Sequence, residues 1–358
     1  MTATVSTALA DRTRFHELVV ERVDRLTADA VAIGFAVPDR LQETFAFRPG
    51  QSLTVRRGDE RRSYSICAAA GAAPRIGVRE VPGGAVSGWL VREVRPGDVV
   101  EVQAPAGAFS PDLAAGGRHV LIGAGSGITP LLSIAASLLA ASGDASVTLV
   151  YGNRRADTVM FADELADLKD AHPSRLQLVH VLSREAQEVE LFSGRLDAER
   201  LRRLLPALVD VAAVDHWWLC GPFGMVTAAM DVLAALGVER RAVHRELFYV
   251  EDLPPAENHH VEAPPGPGAE VTVRLDGRTT TVTVPPGVAI LDAAQRTRPD
   301  LPFACKGGVC GTCRAHLVSG TVEMRRNYAL EPDELAAGYV LTCQAQPTSE
   351  AVEVDYDA

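Results

Sequence analysis

Cys305-Lys306-Gly307-Gly308-Val309-Cys310-Gly311-Thr312-Cys313, followed at a distance by Cys343 in Leu341-Thr342-Cys343-Gln344, decides how this chain is read. The spacing is C-x₄-C-x₂-C, with a remote fourth cysteine. That pattern lets four thiolates converge on the two irons of a [2Fe–2S] cluster. Gly307, Gly308 and Gly311 allow the backbone to come close and to aim N–H groups at the sulfurs. Two other readings compete. A structural zinc site ordinarily uses two separate C-x₂₋₄-C pairs. Disulfides belong to secreted chains, and the sequence shows no signal peptide. The cluster is therefore expected, with Cys305, Cys310, Cys313 and Cys343 as its ligands.

The rest of the composition bounds the class. A length of 358 residues suggests two or three domains, and 47% hydrophobic with 23% charged residues is ordinary globular material. No apolar run reaches the roughly 18 residues that span a bilayer, so no membrane segment is expected. A formal net charge of −11 argues against a nucleic-acid partner. Six cysteines, four of them in one metal pattern, leave Cys67 and Cys220 over and point to a cytoplasmic location. The small polar start, Met1 to Asp11, reads as a disordered arm.

Upstream of the cysteine loop the pattern changes twice. Residues 13–113 carry short β-branched runs: Phe15–Val20, Val31–Phe35, Ser52–Val55, Arg75–Arg79 and Asp98–Val102. Pro49-Gly50, Pro82-Gly83-Gly84 and Pro96-Gly97 separate them. Regular strands with turn signals predict a small antiparallel β-barrel, with one helix at Gly88–Arg92. Residues 116–250 alternate strands and helices, as in an α/β doubly wound parallel sheet. The strands are read at His119–Gly123, Ser146–Tyr151, Leu176–Leu182 and His216–Cys220. The helices are read at Pro130–Leu139, Phe161–Lys169, Asp197–Leu205 and Met225–Leu236. Thr129 is expected as the N-cap of the first helix, with Pro130 at N1. Residues 251–267 are Pro-rich and read as a tether, with Glu257-Asn258-His259-His260 as solvated linker. Residues 268–358 hold the cysteine loop in an α+β ferredoxin-like (β-grasp) module. Asp276-Gly277 there is a strong hairpin signal, and Glu331–Leu335 reads as a capped helix.

Two segments of the first domain carry chemistry. Arg61-Arg62-Ser63-Tyr64-Ser65 resembles the RxYS motif of the ferredoxin–NADP reductase family. The resemblance implies that Arg62 meets the flavin pyrophosphate, Tyr64 packs on the flavin ring, and Ser65 reaches the flavin N5 edge, with Ser63 beside them. A guanidinium fork suits a dianion and an aromatic wall suits a flat apolar ring. Alone, the motif is no more than a polar strand with one core tyrosine. Arg79-Glu80-Val81-Pro82-Gly83-Gly84-Ala85-Val86-Ser87 resembles the second FAD-binding segment of that family. There a glycine turn and a helix N-terminus receive phosphate, so Arg79, Val81, Gly84, Ala85, Val86 and Ser87 are candidates. Ser87 is expected as both N-cap and phosphate donor, the simpler reading being a plain cap.

In the second domain, Gly123-Ala124-Gly125-Ser126-Gly127-Ile128-Thr129-Pro130 lies between a strand and a helix. It matches the GxGxGITP form of the same family, in which Gly125, Gly127 and Thr129 approach the nucleotide pyrophosphate. Cys220-Gly221-Pro222 ends a strand where the nicotinamide would lie; a buried core thiol is the plainer reading of Cys220. Ser183-Arg184-Glu185-x-Gln187 follows the third strand, where the adenosine ribose sits in the family. A Ser-Arg pair there would hold a 2′-phosphate, with Arg154 and Arg195 adding charge, so NADPH is expected rather than NADH. Each arginine taken singly could be a solvated surface residue. In His244-Arg245-Glu246-Leu247-Phe248, Phe248 (or Tyr249) is the aromatic that the family places near the flavin face; simple core packing is the alternative.

Flavin barrel, nicotinamide domain and plant-type ferredoxin together make a relay in which the flavin converts a two-electron donor to one-electron steps. Three segments narrow the resemblance: Phe161-x-x-Glu164-Leu165-x-x-Leu168-Lys169, Val179-His180-Val181-Leu182-Ser183-Arg184-Glu185, and Met324-x-x-Asn327-Tyr328-Ala329-Leu330-Glu331 before Gly338–Gln344. By them the chain resembles the reductase subunits of phenylacetyl-CoA epoxidases over nearly its whole length. The resemblance implies a separate di-iron oxygenase as partner, since the two helical Glu-x-x-His motifs of a di-iron bundle do not occur here. Reductases of Rieske-type ring or steroid hydroxylases share the domain order and are the alternative. A pure electron carrier with a vestigial flavin domain is disfavoured by Arg62, Tyr64 and the intact glycine turn. Lys306, Arg314, Arg325 and Arg326 offer basic charge near the cluster for weak, salt-sensitive docking, or else balance local acids.

Overall fold

A computed structural model of the chain describes residues 14–249 and 268–358. The expected arm at Met1–Asp11 and the tether at 251–267, with His259 and His260, lie outside the described residues. The described residues divide into two compact units. The larger takes 16–60 and 64–249; the smaller takes 268–358, with 14–15 and 61–63 counted to it.

The first layer is mainly β. Strand β1 (Phe15–Thr27) alternates buried Leu18 and Val20 with exposed Glu17 and Val19, and pairs antiparallel with β2 (Ala30–Ala36). Strands β3 (Ser52–Arg57), β4 (Glu60–Ser65) and β5 (Arg75–Arg79), helix α1 (Ala85–Arg92) and β6 (Val99–Gln103) complete it. The sheet runs β4-β3-β6-β1-β2-β5. Its two outer strands are joined by the antiparallel bridge Ile66↔Ile76, and Cys67 N–H donates to the Arg75 carbonyl at 2.8 Å. The expected barrel therefore closes around Phe35, Leu53, Ile76 and Leu90, all fully buried. Full closure leaves few unpaired edge groups. Helix α1 starts three residues before the expected segment.

The second layer follows as β7 (Arg118–Ala124), α2 (Ile128–Ala141), β8 (Ser146–Asn153), α3 (Ala162–Ala171), β9 (Leu176–Leu182), α4 (Ala198–Leu208), β10 (His216–Pro222), α5 (Phe223–Ala235) and β11 (Val243–Tyr249). The strands are parallel in the order β11-β10-β7-β8-β9. The order reverses between β7 and β10, which makes the crevice at their carboxyl ends a topological switch point. Helix α2 is buried along most of its length because it is apolar on nearly every face. Helix α4 is expected to start at Asp197, but Asp197 is its N-cap, accepting from Arg200 N–H at 2.9 Å.

The smaller unit contains β12 (Ala269–Leu275), β13 (Arg278–Val284), α6 (Ile290–Ala294), β14 (Arg314–Ser319), β15 (Val322–Met324), α7 (Pro332–Ala336), β16 (Tyr339–Leu341), β17 (Ala345–Pro347) and β18 (Ala351–Asp355). Its main sheet, β13-β12-β18-β14-β16, is mixed: β12 pairs antiparallel with β13 and parallel with β18. Asp276 (φ 53°) and Gly277 (φ 68°) both take the left-handed conformation that a two-residue hairpin demands. Asp357 fixes that turn by accepting from both of their N–H groups, at 2.7 and 2.9 Å. Helix α7 carries the capping box Glu331/Glu334.

Candidate cofactor sites

The cysteine loop is shaped by three left-handed residues, Lys306 (φ 49°), Gly308 (φ 77°) and Gly311 (φ 68°). A Cβ on Gly308 would meet the Arg326 carbonyl at 3.1 Å. Gly307 and Cys310 N–H groups donate to Cys305 Sγ at 3.3 and 3.4 Å, and Gln344 Nε2 reaches Cys343 Sγ at 3.6 Å. The four thiols fall into two neighbouring pairs that interact by hydrogen bonding, Cys305 with Cys310 and Cys313 with Cys343. The Cys310 thiol, helped by the backbone N–H groups of Gly307, Val309 and Cys310, pulls the Cys305 thiol down to about 5. Cys313 likewise lowers Cys343. All six cysteines are free thiols, so the disulfide reading has no support. Among the described residues no group of three or more His, Cys, Asp or Glu could hold one metal ion. Two pairs of soft donors surrounded by N–H groups suit two irons, one pair to each, better than one zinc.

The segment Met324–Leu330 supports this loop. Tyr328 N–H donates to the Gly308 carbonyl at 3.0 Å, and the Asn327 amide closes a turn on Leu330 through bonds of 2.8 and 3.0 Å. Two of the four basic residues expected to meet a partner are spent locally. Lys306 pairs with Asp292 at 2.9 Å; Arg314 pairs with Glu334 and lies over the Tyr339 ring. Arg325 and Arg326 are exposed.

The candidate flavin residues sit on β4 and at the start of α1. Strand alternation puts Arg62 and Tyr64 on one face of β4 and Ser63 and Ser65 on the other. Tyr64 packs against the barrel core. Ser65 is buried and donates to Glu246 Oε2 at 3.1 Å. Ser87 is not the N-cap: Gly84 holds that position, and Ser87 lies two residues inside the helix. Its buried hydroxyl accepts from Val81 N–H at 3.1 Å, which ties the glycine turn to the helix. Glycine takes the cap because its backbone turns directly into Ala85, and Val86 then fills the barrel core. Arg79 donates to Asp29 at 3.3 Å and to the Thr158 carbonyl at 2.8 Å.

At the switch point, Gly125–Gly127 form a 3₁₀ turn and α2 starts at Ile128. Thr129 is therefore the second helical residue and not the N-cap; its hydroxyl donates back to the Ser126 carbonyl at 2.9 Å. Gly125 has φ 56°, and its carbonyl accepts from Tyr151 OH at 2.9 Å. A Cβ on Gly127 would lie 2.2 Å from the Cys220 carbonyl oxygen. The glycine turn is thus pressed onto the end of β10, where Cys220, Gly221 and Pro222 stand.

Cys220 is fully buried and its thiol is pushed well up by burial, then by Glu246. Its register partner on β11 is Glu246, whose carboxyl burial raises to about 7 against the pull of Ser65. Glu246 thus joins Ser65 and Cys220 into one cluster. Phe248, two residues on, packs against the core. Tyr249 ends β11.

The loops after β8 and β9 run side by side: Arg184 N–H donates to the Arg154 carbonyl at 2.8 Å, and Ser183 N–H to the Asn153 carbonyl at 2.9 Å. Arg154, Arg184 and Arg195 are all exposed at this end of the sheet. Glu185, the acid of the same loop, is occupied by Ala156 N–H at 3.0 Å.

Comparison with known proteins matches these parts in order. An oxidoreductase FAD-binding domain fits residues 17–110, an oxidoreductase NAD-binding domain 121–231, and a 2Fe-2S iron-sulfur cluster binding domain 273–348. The chain is 44% identical to a subunit of the 1,2-phenylacetyl-CoA epoxidase of Escherichia coli K12, over 97% of this chain and 99% of that one. The chain belongs to this reductase family. It is an iron–sulfur flavoprotein oxidoreductase. A further relative, at 35% identity over 95% of this chain and 96% of its own, is the ferredoxin reductase component of 3-ketosteroid-9-alpha-monooxygenase from Rhodococcus rhodochrous. Phthalate dioxygenase reductase shares the fold, with a TM-score of 0.59 at 24% identity over 95% of this chain and 98% of that one. Among the described residues of this reductase no helix is long and apolar enough to cross a membrane. Glu246 carried no local signal in the sequence, since it stands in the mixed run Val243-His244-Arg245-Glu246-Leu247-Phe248.

Proposed function

We propose that this chain is the reductase component of a di-iron oxygenase system that epoxidises phenylacetyl-CoA, passing electrons from NADPH through FAD and a [2Fe–2S] cluster. The observation that carries the relay is the presence in one chain of a paired four-thiol loop and a glycine turn at a switch point. End-to-end similarity to a component of an epoxidase supports the choice of oxygenase. The flavin, when bound, supplies the conversion between paired and single electrons.

The chain's own residues bind and orient. Arg62 and the first-turn N–H groups of Ala85, Val86 and Ser87 face the flavin's phosphates, and Arg79, Val81 and the N-cap Gly84 frame that turn. Tyr64 and Phe248 wall the ring. Ser65 holds a hydroxyl toward the ring edge, and Glu246 fixes that hydroxyl. With its proton affinity near neutrality, Glu246 can hold or release a proton there. Cys220 stays a neutral thiol and shapes the nicotinamide pocket with Gly221 and Pro222; it is not a nucleophile. Gly125, Gly127 and Thr129 present the helix end to the nucleotide pyrophosphate. Ser183, Arg184, Arg154 and Arg195 surround a 2′-phosphate, and the engagement of Glu185 elsewhere removes the acid that a 2′-hydroxyl would need. Cys305, Cys310, Cys313 and Cys343 hold the cluster. Arg325 and Arg326 steer an acidic partner surface.

The test is electron delivery from NADPH to a reconstituted phenylacetyl-CoA oxygenase, with dye reduction as control. Epoxide formation that declines with rising ionic strength is expected. Normal dye reduction without epoxide would move the assignment to a Rieske-type steroid hydroxylase, the reading favoured by the 35% identical relative.

A further inference from the structure

Strand β5 of the barrel meets the parallel-sheet domain along one face, and three alternate residues make the contact. Arg75 comes first. Its side chain is only 10% exposed. Nη1 and Nη2 donate to the two Glu164 oxygens on α3, at 2.9 and 2.8 Å, and Nη2 also donates to Asp24 on β1 at 3.1 Å. The guanidinium stands 5.5 Å from the Phe161 ring centroid. A bidentate guanidinium–carboxylate pair fixes direction as well as distance.

Gly77 is the second contact. A Cβ there would fall 2.4 Å from Thr129 Cγ2 and 3.0 Å from Phe161 Cζ. The barrel backbone therefore rests directly on the helix that begins at the glycine turn. Arg79 is the third, through its bond to the Thr158 carbonyl. The surface opposite is itself constrained. Phe161 is buried and left-handed at φ 60°, a conformation a bulky residue holds only when its surroundings impose it. The helix that Phe161 starts carries Glu164. Thr129, against Gly77, is two residues from Gly127, which touches the end of β10.

We propose that Arg75 and Glu164 are positioning residues for the nicotinamide-to-flavin step. The pair sets the register of the barrel against the glycine turn and the end of β10, and so the separation of the two reacting rings. This rests on the reductase reading above. Reaction rates fall steeply with misplacement, about a hundredfold for 1 Å.

The experiment uses the FAD-loaded, cluster-loaded protein. Glu164→Gln, which keeps shape and removes charge, should retain flavin and bind NADPH within about twofold of the wild type. Its single-turnover flavin reduction by NADPH should slow about ten- to a hundredfold, with Glu164→Asp partly restoring the rate. Spin labels at the exposed positions Glu43→Cys, on the barrel, and Asp170→Cys, on α3, supply a readout independent of turnover. A single narrow distance distribution in the wild type should broaden in Glu164→Gln. Unchanged rate and unchanged distances, with at most a lower melting temperature, would overturn the proposal and leave the pair a structural contact. If Glu164→Gln does not fold, Asp24→Asn, which removes only the outer acid, is judged by the same two readouts. A wild type whose flavin NADPH does not reduce would defeat the reductase reading instead, and the label distances would still decide the positioning claim.

Discussion

Gly127→Ala isolates the close approach at the switch point. The backbone of Gly127 lies at φ −61°, so alanine meets no conformational obstacle of its own. The obstacle is external: the new Cβ would sit 2.2 Å from the Cys220 oxygen, 2.5 Å from its carbon and 2.9 Å from Gly221 N. All three are backbone atoms of a paired central strand and cannot swing aside. Turn and strand must part by about 1 Å, an overpacking that costs about 1–3 kcal/mol. For a unit of this size that lowers the melting temperature by about 2–4 °C per kcal/mol, or roughly 2–12 °C. Because the same turn faces the nucleotide, affinity for NADPH should fall with it. Gly143→Ala is the control, since a Cβ there has nothing within 4 Å. Calorimetry of the apoproteins and nucleotide titration decide the matter. A Gly127→Ala protein that melts and binds like Gly143→Ala would refute the close-packing argument.

Cys310→Ser should lose the cluster and its visible absorption while keeping flavin; unchanged iron content would remove Cys310 from the ligand set. Arg184→Ala should weaken NADPH about ten- to a hundredfold more than NADH, the worth of a charge-assisted hydrogen bond of roughly 1.5–3 kcal/mol, and equal losses would mean that Arg184 does not read the 2′-phosphate. Glu246→Gln should steepen the loss of apoprotein stability on acidification. The reason is that two buried groups oppose each other. Burial raises Glu246 from 4.5 to about 7, so its contribution is full below about 4.5 and lost as pH rises through about 7. Burial lowers His244 from 6.5 to about 4, so its contribution is lost as pH falls through that interval. Removing the glutamate leaves the histidine trend alone, and identical pH slopes in denaturation of wild type and variant would contradict this.

Local signals were the legible ones. The Cys305–Cys313 spacing and the Asp276-Gly277 hairpin depend on residues a few positions apart; the 2Fe-2S domain match covers the first and the turn geometry bears out the second. The caps of α1 and α2 were misread because Ser87 and Thr129 suit capping chemically, yet glycine precedes both helices. At α2 the deciding force is the contact of Gly127 with β10, which no local pattern reveals. Glu246 gains its meaning from Ser65, 181 positions away, and Arg75 from Glu164, 89 positions away. That Asp292 and Glu334 come beside Lys306 and Arg314 was not legible either, since the acids lie 14 and 20 positions away and only the fold of the small unit pairs them.

The measurement closest to the central claim is anaerobic mixing of NADPH with the loaded protein, followed at flavin and cluster wavelengths in wild type and Cys310→Ser. Electrons should reach the flavin first and the cluster second in the wild type, with flavin reduction intact in the variant. Cluster reduction that precedes flavin reduction, or a variant whose flavin no longer accepts electrons from NADPH, would contradict the order of the relay.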